Sequence, residues 1–311
     1  MKVSGMKTGR VHQCTVLLVM LCSFVSACRS HSDFLPAPAA DDSGSPGVVS
    51  SPDNMIIDHG CADLELVPEE WISQAKEDLV IAYGHTSHGS QLTTGMTGLV
   101  GFIGELYAYN STRHGGALEL HDSPFSGASD LGNPNRTAWE AATRTYLNVH
   151  GETNVVIWSW CGQVSSASED DIDTYLDLMS GLEQDYPGVY FVYMTGHLDG
   201  TGLNGNLHLR NEQIREYCRE NDKILYDFAD IETYDPDENY FGDRIPNDAC
   251  AYDTDNDGYR DGNWAIEWQE SHTRDVDWYD CSSAHSQPLN ANLKAYAAWW
   301  LWARLAGWDG R

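Results

Sequence analysis

Short polar runs in this sequence carry side chains able to move protons or attack a carbonyl group. They are Gly84-His85-Thr86-Ser87-His88-Gly89-Ser90, Cys161-Gly162-Gln163, Thr195-Gly196-His197-Leu198-Asp199-Gly200 and Asp280-Cys281-Ser282-Ser283-Ala284-His285. A serine on a tight turn between strand and helix is a good nucleophile placement, because the helix N-terminus and nearby N–H groups stabilise an oxyanion. The hydroxyl needs a base at neutral pH, and a histidine from elsewhere in the chain usually serves. Ser87 with His285 satisfies that logic. Asp280 is the acid nearest His285 in sequence and the candidate to orient it, while Gly84 and Gly89 let the turn close. His85 and His197 are expected beside the same reaction centre. The same residues allow another chemistry: His85, His88, His197, His285 and Asp199 are ligand types for zinc or a related metal, which would make a metal-dependent hydrolase. A third class is a surface binding protein, calcium-stabilised and without turnover.

A second cluster is acidic. Asp253, Asp255 and Asp257 stand at positions 1, 3 and 5 of an EF-hand-type loop, with Gly258 at 6, the Tyr259 carbonyl at 7 and Asp261 at 9. Oxygen ligands in that order suit calcium, and the glycine permits the sharp turn. Position 12 is Trp264 where a bidentate Glu is expected, and Glu267 is the substitute. The expected role of calcium is to stiffen an insertion at about 235–280, not catalysis.

These residues need a scaffold. Leu79–Tyr83, Asn154–Trp160, Val189–Met194 and Lys223–Asp227 read as buried strands. Between and around them, apolar spacing places helices near Leu92–Leu106, Arg136–Val149, Asp170–Asp185 and Asn211–Glu220, with a terminal aromatic helix at Asn290–Leu305. His121–Pro134 reads as a loop. Gly95, Gly98, Gly101 and Gly104 fall inside the first helical pattern and fit either close packing or a non-helical stretch. Strands alternating with helices predict a parallel sheet covered on both faces, with ligand sites at the strands' C-terminal ends. The polar runs above follow those ends.

A strand, then Gly-His-Thr-Ser, then a helix resembles the first block of SGNH/GDSL hydrolases. His285, followed by Pro288-Leu-Asn-Ala-Asn and a final helix, looks like their last block. The resemblance covers about residues 75–305 and implies a three-layer, flavodoxin-like α/β fold. It also implies acyl-ester hydrolysis, on a small molecule, a glycan or a lipid, with no cofactor needed for catalysis. By it Ser87 is the nucleophile and His285 the base, Gly132 matches the second-block glycine, and Gln163 stands where the family has its oxyanion asparagine. The Gly-Asp-Ser order and Gly-x-Asn-Asp are absent, and Ser282 holds the position of the family's acid.

The N-terminus reads as an export signal. Lys2, Lys7 and Arg10 precede an apolar stretch, Cys14–Val25, too short to span a bilayer. Val25-Ser26-Ala27-Cys28 resembles the lipobox of bacterial lipoproteins, which implies cleavage before Cys28 and its lipidation. Residues 28–59 then form a Pro/Ala/Ser/Gly/Asp-rich tether and 60–311 the folded domain. The expected location is extracytoplasmic, anchored at a bacterial outer membrane or cell surface. The net charge is −29 over 311 residues, with 18 basic and 47 acidic; such a surface repels phosphate backbones and excludes nucleic acid as a partner. Outside the cytoplasm disulfides are permitted, and Cys250 with Cys281 is the first candidate pair among Cys61, Cys161, Cys218, Cys250 and Cys281.

Overall fold

The computed structural model describes residues 54–311. The expected export signal, Cys28 and the expected tether up to residue 53 lie outside the described residues. The expected tether boundary at 59 is corrected: Met55–Ile57 form a strand, β1, at one edge of the sheet. Met55 and Ile57 are buried, so this segment pairs because it has a core to fill.

The chain continues through α1 (Glu69–Asp78), β2 (Val80–Gly84), α2 (Ser90–Phe102), β3 (Tyr109–Asn110), β4 (Leu118–Asp122), α3 (Ala138–Leu147), β5 (Val155–Trp158), α4 (Glu169–Asp185), β6 (Tyr190–Met194), α5 (Asn206–Glu220) and β7 (Ile224–Tyr226). A short α6 (Phe228–Ile231), the hairpin strands β8 (Ala251–Tyr252) and β9 (Gly262–Asn263), α7 (Trp264–Ser271) and α8 (Pro288–Leu305) complete it. The first seven strands form one parallel sheet in the order β1-β7-β6-β5-β2-β4-β3. This is the α/β, flavodoxin-like three-layer arrangement.

Strand side chains alternate between two faces. Ile81, Tyr83, Val155, Ile157, Val192 and Met194 pack with α1, α2 and α8. Ala82, Val156, Trp158, Phe191, Tyr193 and Leu225 pack with α3, α4 and α5. Both faces are therefore covered, which is why the strands read as continuous apolar runs. β2 has β4 on one side and β5 on the other. Connections diverge there, and a crevice opens at the C-terminal ends.

The glycine pattern in α2 resolves into packing. A Cβ on Gly95 would lie 2.1 Å from the Ala291 carbonyl oxygen in α8, and one on Gly98 would lie 2.6 Å from the Tyr279 ring. Gly101 meets nothing. The helix stops at Phe102, short of the expected Leu106, because Gly104 turns to φ 130° and a 3-10 turn follows. The terminal aromatic residues are core, as read: Trp299 and Trp302 are fully buried. The expected loop at His121–Pro134 is partly strand, since β4 carries the chain to Asp122.

The expected Cys250–Cys281 bridge is also corrected. Both thiols are free, as are the other cysteines among the described residues. Cys250 Sγ sits 3.3 Å from Ser286 Oγ, while Cys281 Sγ lies against the Asn292 amide. Each thiol thus faces its own polar neighbour. No helix among the described residues is long and apolar enough to cross a membrane.

Candidate active site

The turn after β2, the segment after β5 and the turn after β6 meet over the crevice. Gly84 and Gly89 make the first turn possible. A Cβ on Gly84 would fall 2.2 Å from the Trp158 ring, and one on Gly89 would fall 2.1 Å from Ser159 Oγ. Neither needs an unusual φ; both need space. Ser87 and His88 are thereby brought over the end of β5, beside Cys161.

A thiol, an imidazole and a carboxylate stand in line there. Cys161 Sγ is 3.4 Å from His88 Nδ1, and His88 Nε2 donates to Asp248 Oδ2 at 2.9 Å. Ser87 Oγ lies 3.5 Å from the same sulfur. His88 is buried and Cys161 half-buried. Burial raises the Cys161 thiol, but hydrogen bonds from Ser87 and His88 outweigh it and the pKa falls below the ordinary thiol value. Burial opposes charge on His88, yet Asp248 and Cys161 more than compensate and its pKa is raised. Burial likewise raises Asp248, and the His88 bond brings it net below the usual carboxylate range. Each shift favours a thiolate–imidazolium–carboxylate state.

His88 also stacks on His197 (centroids 3.6 Å, 7°) and on His285 (4.4 Å, 19°). The two distant stretches carrying Ser87 and His285 therefore do meet, around the His88 ring. His285 is exposed, at φ 63°, and its ring makes no hydrogen bond among the described residues. Asp280 does not orient it: its carboxylate is exposed and pairs with Arg274 at 3.0 Å. Sequence proximity selected Asp280; in space the acid of the cluster is Asp248, which sequence reasoning missed. Asp248 lies in the irregular stretch before β8, where no periodicity marks it. His85 is drawn aside, with Nε2 2.6 Å from Asp122. Asp199 turns back on its own loop and accepts from Thr201.

His197 is fixed differently. Its Nδ1 lies 2.9 Å from the Leu198 carbonyl, so Nδ1 carries the proton and Nε2 is a bare lone pair. That atom is buried and has no partner. Burial holds the His197 pKa down, so the ring is neutral. His88, His197 and Asp248 each bring a ligand-type atom within 4.8 Å of the others. Imidazole lone pairs lie in the ring plane, however. Two parallel rings 3.6 Å apart cannot both aim at one ion without turning. The arrangement is a hydrogen-bonded stack, not a coordination set.

Gly132 and Gln163 lie against each other: a Cβ on Gly132 would lie 2.3 Å from Gln163 Cγ. Both donate to one carboxylate. The Gly132 N–H (2.8 Å) and Gln163 Nε2 (3.1 Å) both donate to Asp130 Oδ1, and Thr86 Oγ1 donates to Asp130 Oδ2 at 2.6 Å. Asp130 is buried and was not singled out from sequence. It clamps the Ser87 turn to the segment after β5. Among the described residues, the N–H groups of Ser87, His88 and Gly89 at the start of α2 have no hydrogen-bond partner. Unpaired N–H groups at a helix start are the kind of donor that can meet an anion.

In the acidic loop, Asp253, Asp255 and Asp257 gather carboxylate oxygens within 4.8 Å of one another. Asp253 is buried and accepts from the N–H groups of Asn256 and Gly258, both at 2.7 Å, with Gly258 at φ 95°. Asp261 accepts from Thr254 N–H. Glu267 accepts from the Asn263 N–H on one oxygen and from the Tyr252 hydroxyl on the other. Tyr259 projects its ring into solvent, leaving its carbonyl as the expected ligand. Arg260, on the same loop, donates to the carbonyls of Gly200 and Ile245. One lies just after His197 and the other just before Asp248.

No family model matches this chain, and no curated protein matches it.

Proposed function

We propose that this chain is an acyl hydrolase of SGNH-like architecture whose attacking atom is the Cys161 sulfur. The observation carrying the proposal is the Cys161–His88–Asp248 line, at 3.4 and 2.9 Å. His88 Nδ1 takes the thiol proton and Sγ attacks an ester carbonyl. The tetrahedral oxyanion is met by the N–H groups that open α2. Collapse breaks the C–O bond, and His88 returns the proton to the leaving alkoxide. Water, deprotonated by His88, then releases the acid from the thioester. Asp248 keeps the imidazole oriented and stabilises its cation.

A second reading keeps Ser87 as nucleophile and His285 as base. It is favoured by the stacking of His285 on His88, one residue from Ser87. Calcium at Asp253, Asp255, Asp257, Asp261 and the Tyr259 carbonyl would supply rigidity in either case. We also retain export and lipid anchoring at Cys28 as part of the proposal.

Short-chain acyl esters separate the readings. Cys161→Ala should abolish turnover, while Ser87→Ala should lower it by about tenfold or less, since a lost hydrogen bond is worth about 1 kcal/mol. The reverse ranking would transfer the role to Ser87. Loss of turnover only on zinc-selective chelation would point to a metal hydrolase, and no turnover on any ester to a binding protein.

A further inference from the structure

Beneath the imidazole stack lies a charged pair that the chemistry above does not use. Lys294, in the middle of α8, is fully buried, and its ammonium donates to Glu232 Oε2 and Gln91 Oε1, both at 2.6 Å. Glu232 and Gln91 are equally buried. A buried ion pair is commonly no more stabilising than apolar side chains of the same volume. Stability therefore gives little reason for a charged lysine here, in a buried stretch of α8 otherwise built of Ala, Leu, Trp and two asparagines.

The arms of the pair end beside every histidine of the stack. Glu232 Oε1 accepts from the Leu198 N–H, and the carbonyl of that same residue fixes the His197 tautomer. Gln91 Nε2 donates to the Ala284 carbonyl at 2.6 Å, immediately before His285. Asn290 Nδ2 reaches Glu232 at 3.3 Å and Ser286 Oγ at 2.7 Å, immediately after His285. Ser286 in turn touches Cys250, two residues from Asp248. Gln91 itself begins α2, and its N–H donates to the His88 carbonyl.

We propose that the Lys294–Glu232 pair is the positioning device of the site, holding the backbone around His88, His197 and His285 so that the three rings stack in register. Lys294 and Glu232 are positioning residues; neither is placed to touch substrate. The proposal rests on the reading of this rim as an acyl-transfer centre only for its effect on turnover. Its structural content is tested without a substrate.

The variants are Glu232→Leu/Lys294→Met, which removes both charges together, and Glu232→Gln, which keeps an acceptor for Leu198. The readouts are Leu198 amide hydrogen exchange, the imidazole resonances of His88, His197 and His285, and kcat and KM on an ester. The double variant should fold cooperatively, lose Leu198 protection and shift all three imidazole signals. Its kcat should fall about tenfold to a hundredfold with KM little changed, as misplacement of a catalytic group does. Glu232→Gln should recover most of the protection and most of kcat. A folded double variant with unchanged imidazole signals would overturn the proposal. So would a double variant that does not fold, since the pair would then be a stability element. Wild-type protein inactive on every ester would sink the acyl-transfer reading while leaving the resonance comparison intact.

Discussion

His88 is the residue on which the site turns. Its two nitrogens face a thiol and a carboxylate, and its ring is stacked on two further imidazoles. Asp248→Asn should therefore act through it. With Asp248 neutral, the His88 pKa drops, the imidazolium is lost at lower pH and the thiolate loses its counter-charge. The pH midpoint for Cys161 alkylation by iodoacetamide should move up towards the ordinary thiol range, and turnover should fall about a hundredfold or more. The pair also contributes stability with a defined window. A raised His88 pKa stabilises the fold below the ordinary imidazole value and ceases to as pH rises through the raised value. A lowered Asp248 pKa stabilises above the ordinary carboxylate value and ceases to as pH falls. Urea melts should thus show Asp248→Asn costing about 1 kcal/mol in weak acid and less at alkaline pH.

Among the elements, α2 and α8 form the contact that carries both His88 and His285. Gly95→Ala should cost about 1–3 kcal/mol, because the new methyl meets the Ala291 backbone, which cannot rotate away. Gly101→Ala, in open space on the same helix, should stabilise by about 0.5–1 kcal/mol. Equal effects in urea melts would contradict the packing account. The acidic loop makes a separate prediction. Arg260 ties it to the turns bearing His197 and Asp248. Arg260→Ala, or chelation of protein first loaded with calcium, should therefore raise hydrogen exchange in residues 198–202 and 245–250, and no change in either segment would detach the loop from the site. These elements also show what was legible in the sequence. The long apolar strands β2, β5 and β6 and their following helices were read, because burial on both faces leaves a continuous pattern. That rule also placed Ser87, Cys161, His197 and His285 at one rim. β1, β3 and β4 were missed since each is short or mixed in polarity. Asp248 and Asp130 were missed because loops carry no period, and a carboxylate's partner is set by space, not by nearness in the chain.

Taken whole, the molecule is a parallel sheet whose polar chemistry is concentrated where the connections diverge, on a chain of net charge −29. That charge should keep the protein off anionic surfaces unless something holds it there, which is the role proposed for lipid at Cys28. Cys28→Ser should move the protein from the membrane to the soluble fraction; unchanged fractionation would remove the anchor from the account. What the fold brings together is a sulfur, an imidazole and a carboxylate, from a β5 connection, the β2 turn and the irregular segment before β8. The decisive measurement is mass mapping of the covalent intermediate, trapped by rapid acid quench during turnover of a chromogenic acyl ester. The acyl group should be found on the peptide containing Cys161 and disappear in Cys161→Ala. An acyl group on Ser87, or turnover with no covalent adduct at all, would contradict the thiol mechanism.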